Sequence, residues 1–220
     1  MRHLLLALAA ALLAGTTLAS PTAPRNGSDY LTLQTPQPLE ASAKKTEVIE
    51  FFMYHCPACN ALEPTLLAWV RKNGDKVAFR RVHIPRQREN DPEARLFLTL
   101  EAMGVAESMH AKVLQTWHVD HQRLASDADN LAWALQSGLD RARFLDTYNS
   151  FGTTTRLRGL PRYVMNYQVD STPTLVVDGR YLTNPAMVGA ANPALPPEQI
   201  FNATLQVVDA LVAKAAASKP

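Results

Sequence analysis

The sequence is poor in the features that mark several classes of protein. Its 220 residues include only two cysteines, and 22 basic against 20 acidic residues leave a formal net charge of +2. So weak a charge gives no reason to expect a nucleic-acid or anionic-membrane partner. Two cysteines also cannot build the multiple-disulfide framework of small secreted domains. With 47% hydrophobic residues, the chain is long enough to bury a core as one domain, with or without an insertion.

The first twenty residues are predicted to lie outside the fold, and the segment after them is predicted to be mobile. Leu4–Ala14 is an apolar run too short to span a bilayer, and Thr17–Ala19 offers the small residues that signal peptidase needs. We therefore expect residues 1–19 to be a cleaved signal peptide and the mature protein to be exported; an uncleaved membrane anchor is the alternative. Residues 21–38 are rich in Pro, Thr, Asn and Gly and predict a mobile mature N-terminus, with a possible first strand at 30–33.

Strand, helix and strand follow one another in the next part of the chain. Glu47–Tyr54 and Val77–Ile84 are apolar runs typical of strands buried on both faces. Between them, Pro57 suits a first helical position and Gly74 a helix end. This order implies a right-handed crossover and parallel pairing of the two strands.

A helical block of about seventy residues then begins at Asp91, which reads as a helix cap with proline behind it. Ser126 and Asp129 form a capping box farther along. Besides the helix closed by Gly104, the pattern predicts helices over 107–117, 127–136 and 141–165, the last broken near Gly152 or Gly159.

Strand patterns return after this block. Thr174–Val177 and Tyr181–Thr183, joined by an Asp-Gly turn, predict an antiparallel hairpin, and Pro197–Ala215 predicts a final helix. The order βαβ, helices, ββα predicts an α/β fold with an inserted all-helical domain. We place the first half of the α/β domain at 20–88, the insertion at 89–165 and the second half at 166–220.

The two cysteines are best explained by reactivity. Cys56 and Cys59 are three residues apart, so a disulfide between them closes too small a loop to add much stability. Cys56 is expected at a helix N-terminus, where unpaired N–H groups and the positive end of the helix dipole stabilise a thiolate. A stabilised thiolate makes the disulfide an oxidant. Cys59, one turn into the helix, should be the more buried thiol.

Two other interpretations of the pair stay open. A C-x-x-C pair is half a zinc ligand set that His118 and His121 could complete, although their spacing is shorter than usual. The pair could also be an inert disulfide. We expect neither metal nor cofactor.

The segments EFFMYHCPACNALEP and STPTLVVDGRYLTNP resemble the DsbA family of periplasmic disulfide oxidants, within the thioredoxin superfamily. The resemblance spans nearly the whole mature chain and includes the helical insertion into the thioredoxin fold. It implies that Cys56 is the exposed nucleophile, that Cys59 is its buried partner in a Cys56–Cys59 disulfide, and that the Thr172–Pro173 bond is cis. An ordinary strand-start proline is the alternative for Pro173.

The resemblance also implies a buried acid beneath the active site at Glu50, with Arg81 on the next strand as its basic partner. We predict that Glu50 relays the proton of Cys59 during exchange; a buried ion pair that serves only packing is the alternative.

Two departures from the best-known members of the family concern the active site. Pro57-Ala58 stands where they have Pro-His, whose histidine helps to stabilise the thiolate, so we predict a weaker oxidant. His55 could restore part of this stabilisation if its protonated ring faces the sulfur, and a solvent-facing loop histidine is the alternative. The second departure is Thr172, a residue also found before the cis-proline in disulfide isomerases.

The expected activity is thiol–disulfide exchange in which the protein oxidises exported proteins with reduced cysteines in the periplasm. A membrane quinone-linked oxidase of the DsbB type is the expected partner for reoxidation, and the protein is expected to be a monomer. A disulfide isomerase or reductase, a glutathione-dependent isomerase of the same architecture and a non-catalytic, chaperone-like peptide-binding module are the alternatives.

Overall fold

The computed structural model describes residues 23–42, 44–86 and 90–218. The predicted signal peptide at 1–19 lies outside the described residues, and so do the two residues that open the predicted N-terminal segment. Five strands form one mixed sheet in the order β1-β5-β4-β2-β3. Their bounds are Leu31–Thr32 (β1), Thr46–Phe52 (β2), Val77–His83 (β3), Thr174–Val177 (β4) and Tyr181–Thr183 (β5).

The interior strand β2 pairs parallel to β3 and antiparallel to β4, while β5 pairs antiparallel to both β4 and β1. This confirms the predicted parallel βαβ unit and the antiparallel hairpin. All seven residues of β2 are buried, including Glu47 and Glu50, as expected for a strand covered on both faces.

Eight α-helices complete the described fold, with a 3₁₀ turn at Pro197–Gln199. They are Pro57–Asn73 (α1), Pro92–Ala102 (α2), Ala106–His118 (α3), Asp127–Gln136 (α4), Arg141–Tyr148 (α5), Phe151–Asn166 (α6), Pro185–Ala191 (α7) and Ile200–Ala217 (α8). The break predicted near Gly152 lies just before it, where the Ser150 side chain caps α6 by accepting from the Thr153 N–H. Helix α7 was not predicted, although Asn184 and Pro185 are the same kind of start signal as Asp91 and Pro92.

The sheet separates two hydrophobic cores. On one face, Ile49 and Phe51 of β2 pack with the apolar stripes of the inserted helices α2–α6. On the other face, Val48 packs with α1 and α8. Alternation along a strand places Glu50 on the same face as Val48, towards α1.

The prediction of a mobile N-terminal segment is wrong for its described part. Asp29 is fully buried and accepts hydrogen bonds from the Arg25 backbone N–H and the Asn192 side chain, each at 2.9 Å. The following residue, Tyr30, is also buried and accepts from Lys214 Nζ at 2.8 Å. Long-range contacts, which composition does not reveal, fix this segment against the second half of the domain.

Candidate active site

The candidate site lies at the edge of the sheet where β2 ends. Because β3 is parallel to β2, it ends at the same edge and leads into α2; because β4 is antiparallel, it begins there, with Thr174 opposite Phe51. The start of α1, the start of α2 and the Thr172–Pro173 segment before β4 therefore meet around Cys56.

Cys56 is the N-cap residue of α1, and its extended backbone (φ −78°, ψ 115°) turns β2 into the helix. Its sulfur accepts a hydrogen bond from the Cys59 N–H at 3.4 Å. A hydrogen bond from the Cys59 thiol is the largest cause that lowers the pKa of Cys56, to about 5, against the opposing effect of burial. The Thr172 side chain and the N–H groups of Cys59 and Ala58 lower it further. The sulfur is thus placed to exist as a thiolate.

The two cysteines differ in pKa, but their burial differs less than predicted. The prediction that Cys56 is exposed is wrong, because only 8% of the residue is accessible to solvent. It is still more accessible than Cys59, at 2%. The hydrogen bond of Cys59 to Cys56, together with burial, raises the pKa of Cys59 well above its usual value. Both residues are free thiols in this structure, which describes the dithiol form, and the disulfide pairing stays a prediction.

Thr172 and Pro173 cover the sulfur of Cys56. The peptide bond between them is cis, and the Cys56 sulfur lies 3.5 Å from the Thr172 carbonyl oxygen. Pro173 is buried while Thr172 is half-buried. This segment therefore contributes to the burial of Cys56.

Glu50 and Arg81 are directly opposite each other on β2 and β3, and Glu50 Oε2 accepts from Arg81 Nε at 2.9 Å. Both side chains are 1% exposed. Burial is the largest influence on Glu50 and, together with the neighbouring acids, it raises its pKa to about 7 despite the attraction of Arg81. A carboxyl group with such a pKa can exchange a proton near neutral pH.

Three residues of this cluster were not predicted. Arg81 also donates to both oxygens of Glu63, at 2.9 and 3.0 Å, and to both oxygens of Glu107, at 2.7 Å; His110 Nε2 lies 3.5 Å from Glu63. Although burial opposes it, hydrogen bonds from His110 and the charge of Arg81 hold the pKa of Glu63 below its usual value. Glu63 follows Cys59 by four positions, hence on the same face of α1, and this spacing was a usable signal.

His55 adopts neither of the two predicted arrangements, a ring facing the Cys56 sulfur or a solvent-facing ring. Its ring Nδ1 lies 2.9 and 2.8 Å from the two carboxylate oxygens of Glu93, and its backbone N–H donates to Glu93 Oε2 at 3.2 Å. Among the described residues, His55 makes no hydrogen bond to the Cys56 sulfur. The hydrogen bond to Glu93 raises the pKa of His55, while the pKa of Glu93 falls to about 2 because its bonds to His55 and His83 outweigh burial.

The remaining predicted residues have simpler environments. Pro57 occupies the first position of α1 and is exposed, and Ala58 is half-buried against the core. His118, from the alternative zinc site, has Nε2 2.8 Å from the Tyr54 carbonyl oxygen. Within the described ranges, no group of three or more His, Cys, Asp or Glu is placed to hold a metal ion.

The sequence and the fold are similar to those of known proteins. Residues 40–192 match the family model described as Thioredoxin. The thiol:disulfide interchange protein DsbA of Burkholderia cepacia is 35% identical, over 94% of this chain and 93% of its own length; that of Pseudomonas aeruginosa is 35% identical over 88% and 87%. The crystal structure of Pseudomonas aeruginosa DsbA superposes with a TM-score of 0.75 at 34% identity, covering 87% of this chain and 94% of the other.

Proposed function

The chain belongs to the DsbA family of thiol:disulfide interchange proteins, and from this premise we propose that it oxidises exported proteins by donating a Cys56–Cys59 disulfide to them. The observation that carries the proposal is the unequal pair of sulfurs at the start of α1. Cys56 has a pKa lowered to about 5, whereas the pKa of Cys59 is raised. Since the reduced form holds a stabilised thiolate, electrons should flow from client thiols into this protein.

The reaction begins with the disulfide form. A client thiolate attacks Cys56 Sγ, the Cys56–Cys59 bond breaks, and Cys59 leaves with the electron pair and takes up a proton. A second client thiolate then attacks the client's own sulfur and expels Cys56 as a thiolate. The client loses two electrons and gains a disulfide, while the protein gains two electrons and becomes the dithiol. A low pKa makes Cys56 a good leaving group in the second step.

Glu50 has the properties needed to supply the proton that Cys59 takes up. It is buried, its pKa is raised to about 7, and its charge contributes to raising the pKa of Cys59. Arg81 holds its carboxylate in place and connects it to Glu63 and to the exposed Glu107. We assign Glu50 the proton relay and Arg81 a positioning role.

Thr172 and Pro173 have the geometry to hold the client. The backbone of Thr172 lies against the Cys56 sulfur, so an extended client segment that pairs with it by β-addition would bring its cysteine to that sulfur. The Thr172 side chain, which lowers the pKa of Cys56, would favour release of the client in the second step.

The cellular setting follows from the same premise. Residues 1–19 would be removed as a signal peptide on export to the periplasm, and a DsbB-type membrane oxidase would restore the disulfide. The helices α2–α6, over Pro92–Asn166, support an insertion at 89–165 between the two halves of the thioredoxin-like domain.

Oxidation of reduced, unfolded ribonuclease tests the proposal. The oxidised protein should transfer one disulfide per molecule, and Cys56→Ser and Cys59→Ser should each abolish transfer, because neither variant can form the disulfide. Equilibration with glutathione should give a potential above about −180 mV, and a value near −270 mV would indicate a reductant. Binding of ribonuclease by the wild type without oxidation would instead favour the chaperone-like module, and faster repair of scrambled than oxidation of reduced ribonuclease would favour an isomerase.

A further inference from the structure

A cavity of about 300 Å³ lies beside the proposed nucleophile and has no part in the exchange described above. Its wall includes His55, the residue directly before Cys56, together with the start of α2 and the end of α3. Consecutive Cα atoms are 3.8 Å apart, so a group bound here would be close to a client joined to Cys56.

The acidic side chains in the wall are already used within the protein. Asp91 is 3% exposed and accepts from the N–H groups of Ala94, at 2.8 Å, and Arg86, at 2.9 Å. Glu93 is 7% exposed and both of its oxygens face His55. Neither carboxylate therefore presents a free negative charge to a ligand.

The basic side chains are in the opposite situation. Arg86 and Arg123 line the same cavity and are exposed, and in the described part of the chain neither guanidinium has a hydrogen bond or ion pair to another side chain. The His55 ring is already paired with Glu93, and the ring of Trp117, 5.9 Å from that of His55, adds an apolar surface. The charge accessible to a ligand is thus positive.

From this arrangement we propose that the cavity is a client subsite that binds an aspartate or glutamate side chain near the cysteine being oxidised. Guanidinium groups bind carboxylates through paired, charge-assisted hydrogen bonds, which suits two arginines that have no side-chain partner among the described residues. An extended chain advances about 3.3–3.6 Å per residue, so an acidic residue two to four positions from the cysteine lies about 7–14 Å from it along the chain. The inference rests on the proposed function and specifies which clients react fastest.

The test uses peptides with two cysteines and one variable residue, placed two, three or four positions from the first cysteine. Glutamate, glutamine and lysine versions are compared by the second-order rate constant for reduction of the oxidised protein. In at least one register we expect glutamate to react about 3- to 10-fold faster than glutamine and lysine to react slowest, with the preference decreasing as salt is added.

Variants connect the preference to the cavity. Arg86→Gln and Arg123→Gln should each move the glutamate-to-glutamine ratio towards one while leaving the rate with the glutamine peptide and with dithiothreitol unchanged. Arg71→Gln is the matched control, since Arg71 is also exposed but lies in the last turn of α1, 15 positions beyond Cys56 and about 22 Å away along the helix. It should keep the wild-type ratio.

The outcomes separate the subsite from the proposed function. Equal rates for glutamate and glutamine peptides in all three registers, or a preference unaffected by either cavity variant, would overturn the subsite while oxidation itself stands. Failure to oxidise any peptide or dithiothreitol would instead contradict the proposed function.

Discussion

The two cysteines at the start of α1, Cys56 and Cys59, have opposite acid–base properties. Cys56 accepts hydrogen bonds from the first turn of the helix, while Cys59 is more buried and serves as a hydrogen-bond donor to it. The pKa is therefore lowered for one sulfur and raised for the other. Hydrogen bonding to the charged form explains the first shift, and desolvation contributes to the second.

The reduced protein should show this directly in a thiolate titration. Absorbance at 240 nm should rise with a midpoint near pH 5, because Cys56 ionises there while Cys59 stays protonated. Cys56→Ser should remove the transition. A midpoint near 8.5, the value of free cysteine, would contradict the proposed role of Cys56.

Glu50→Gln tests the proton relay at the same scale. A neutral amide cannot supply a proton, so exchange should slow by about tenfold or more, and any inflection near pH 7 in its rate should disappear. Glu107→Gln is the control, since Glu107 also binds Arg81 but has a largely exposed side chain. Unchanged rates and thiol titration in Glu50→Gln, or equal losses in both variants, would leave the ion pair with a packing role only.

Between elements, the main connection at the site joins the loop before α1 to the first turn of α2. Glu93 binds the ring and the backbone N–H of His55, so the inserted helical domain holds the residue next to the nucleophile. A second histidine, His83 at the end of β3, lies 3.6 Å from the same carboxylate. The insertion is thereby part of the active-site framework.

Glu93→Gln should weaken this connection. Loss of the charge-assisted bond should lower the pKa of His55 towards its ordinary value and reduce the free energy of unfolding by about 1–3 kcal/mol. A histidine whose pKa is raised by folding stabilises the fold at pH values below its unfolded-state pKa. This stabilisation is lost as the pH rises through the folded-state pKa. The stability difference should thus be largest at about pH 5–6, where Glu93 is ionised and His55 protonated.

NMR titration of the His55 ring and urea unfolding would measure these changes, with Glu198→Gln as an exposed control on the 3₁₀ turn. An unaltered His55 titration in Glu93→Gln would contradict the connection.

For the whole molecule, the topology of the sheet decides where chemistry takes place. Parallel pairing of β2 with β3 and antiparallel pairing with β4 bring two strand ends and one strand start to the same edge. Segments more than 100 positions apart, such as Cys56 and Thr172, then make contact. We therefore expect the redox state of the cysteine pair to affect the stability of the whole fold.

The reduced and oxidised forms should accordingly differ in stability in a pH-dependent manner. Because the pKa of Cys56 is lowered in the folded dithiol, its contribution is complete above the unfolded value of about 8.5 and is lost as pH falls towards 5. Above about pH 8.5, the raised pKa of Cys59 opposes a further gain in the stability of the reduced form. The stability advantage of the reduced form should therefore grow between about pH 5 and 8.5.

Guanidinium chloride unfolding of both forms at pH 5, 7 and 8.5 measures this difference. Comparing the two forms removes the contribution of groups such as Glu50 that titrate in both. A difference that is independent of pH would show that the Cys56 thiolate is not stabilised by the fold.

The sequence by itself determined the order of elements and the position of the cysteine pair. Strand periodicity, helix caps such as Asp91 and Ser126, and the place of Cys56 at a helix start depend on neighbours along the chain, so they can be read locally. Two features were not predicted. Helix α7 has a local start signal at Asn184–Pro185, whereas the burial of Asp29 in the N-terminal segment depends on distant residues.

Only the tertiary structure decided which side chains share the site. Arg81 binds Glu63 from 18 positions away and Glu107 from 26, and His55 binds Glu93 from 38. No local pattern encodes such partners, because they depend on how strands align and which helices cover them. The pKa values depend on the same contacts and on burial, and the site's chemistry is therefore a property of the folded chain.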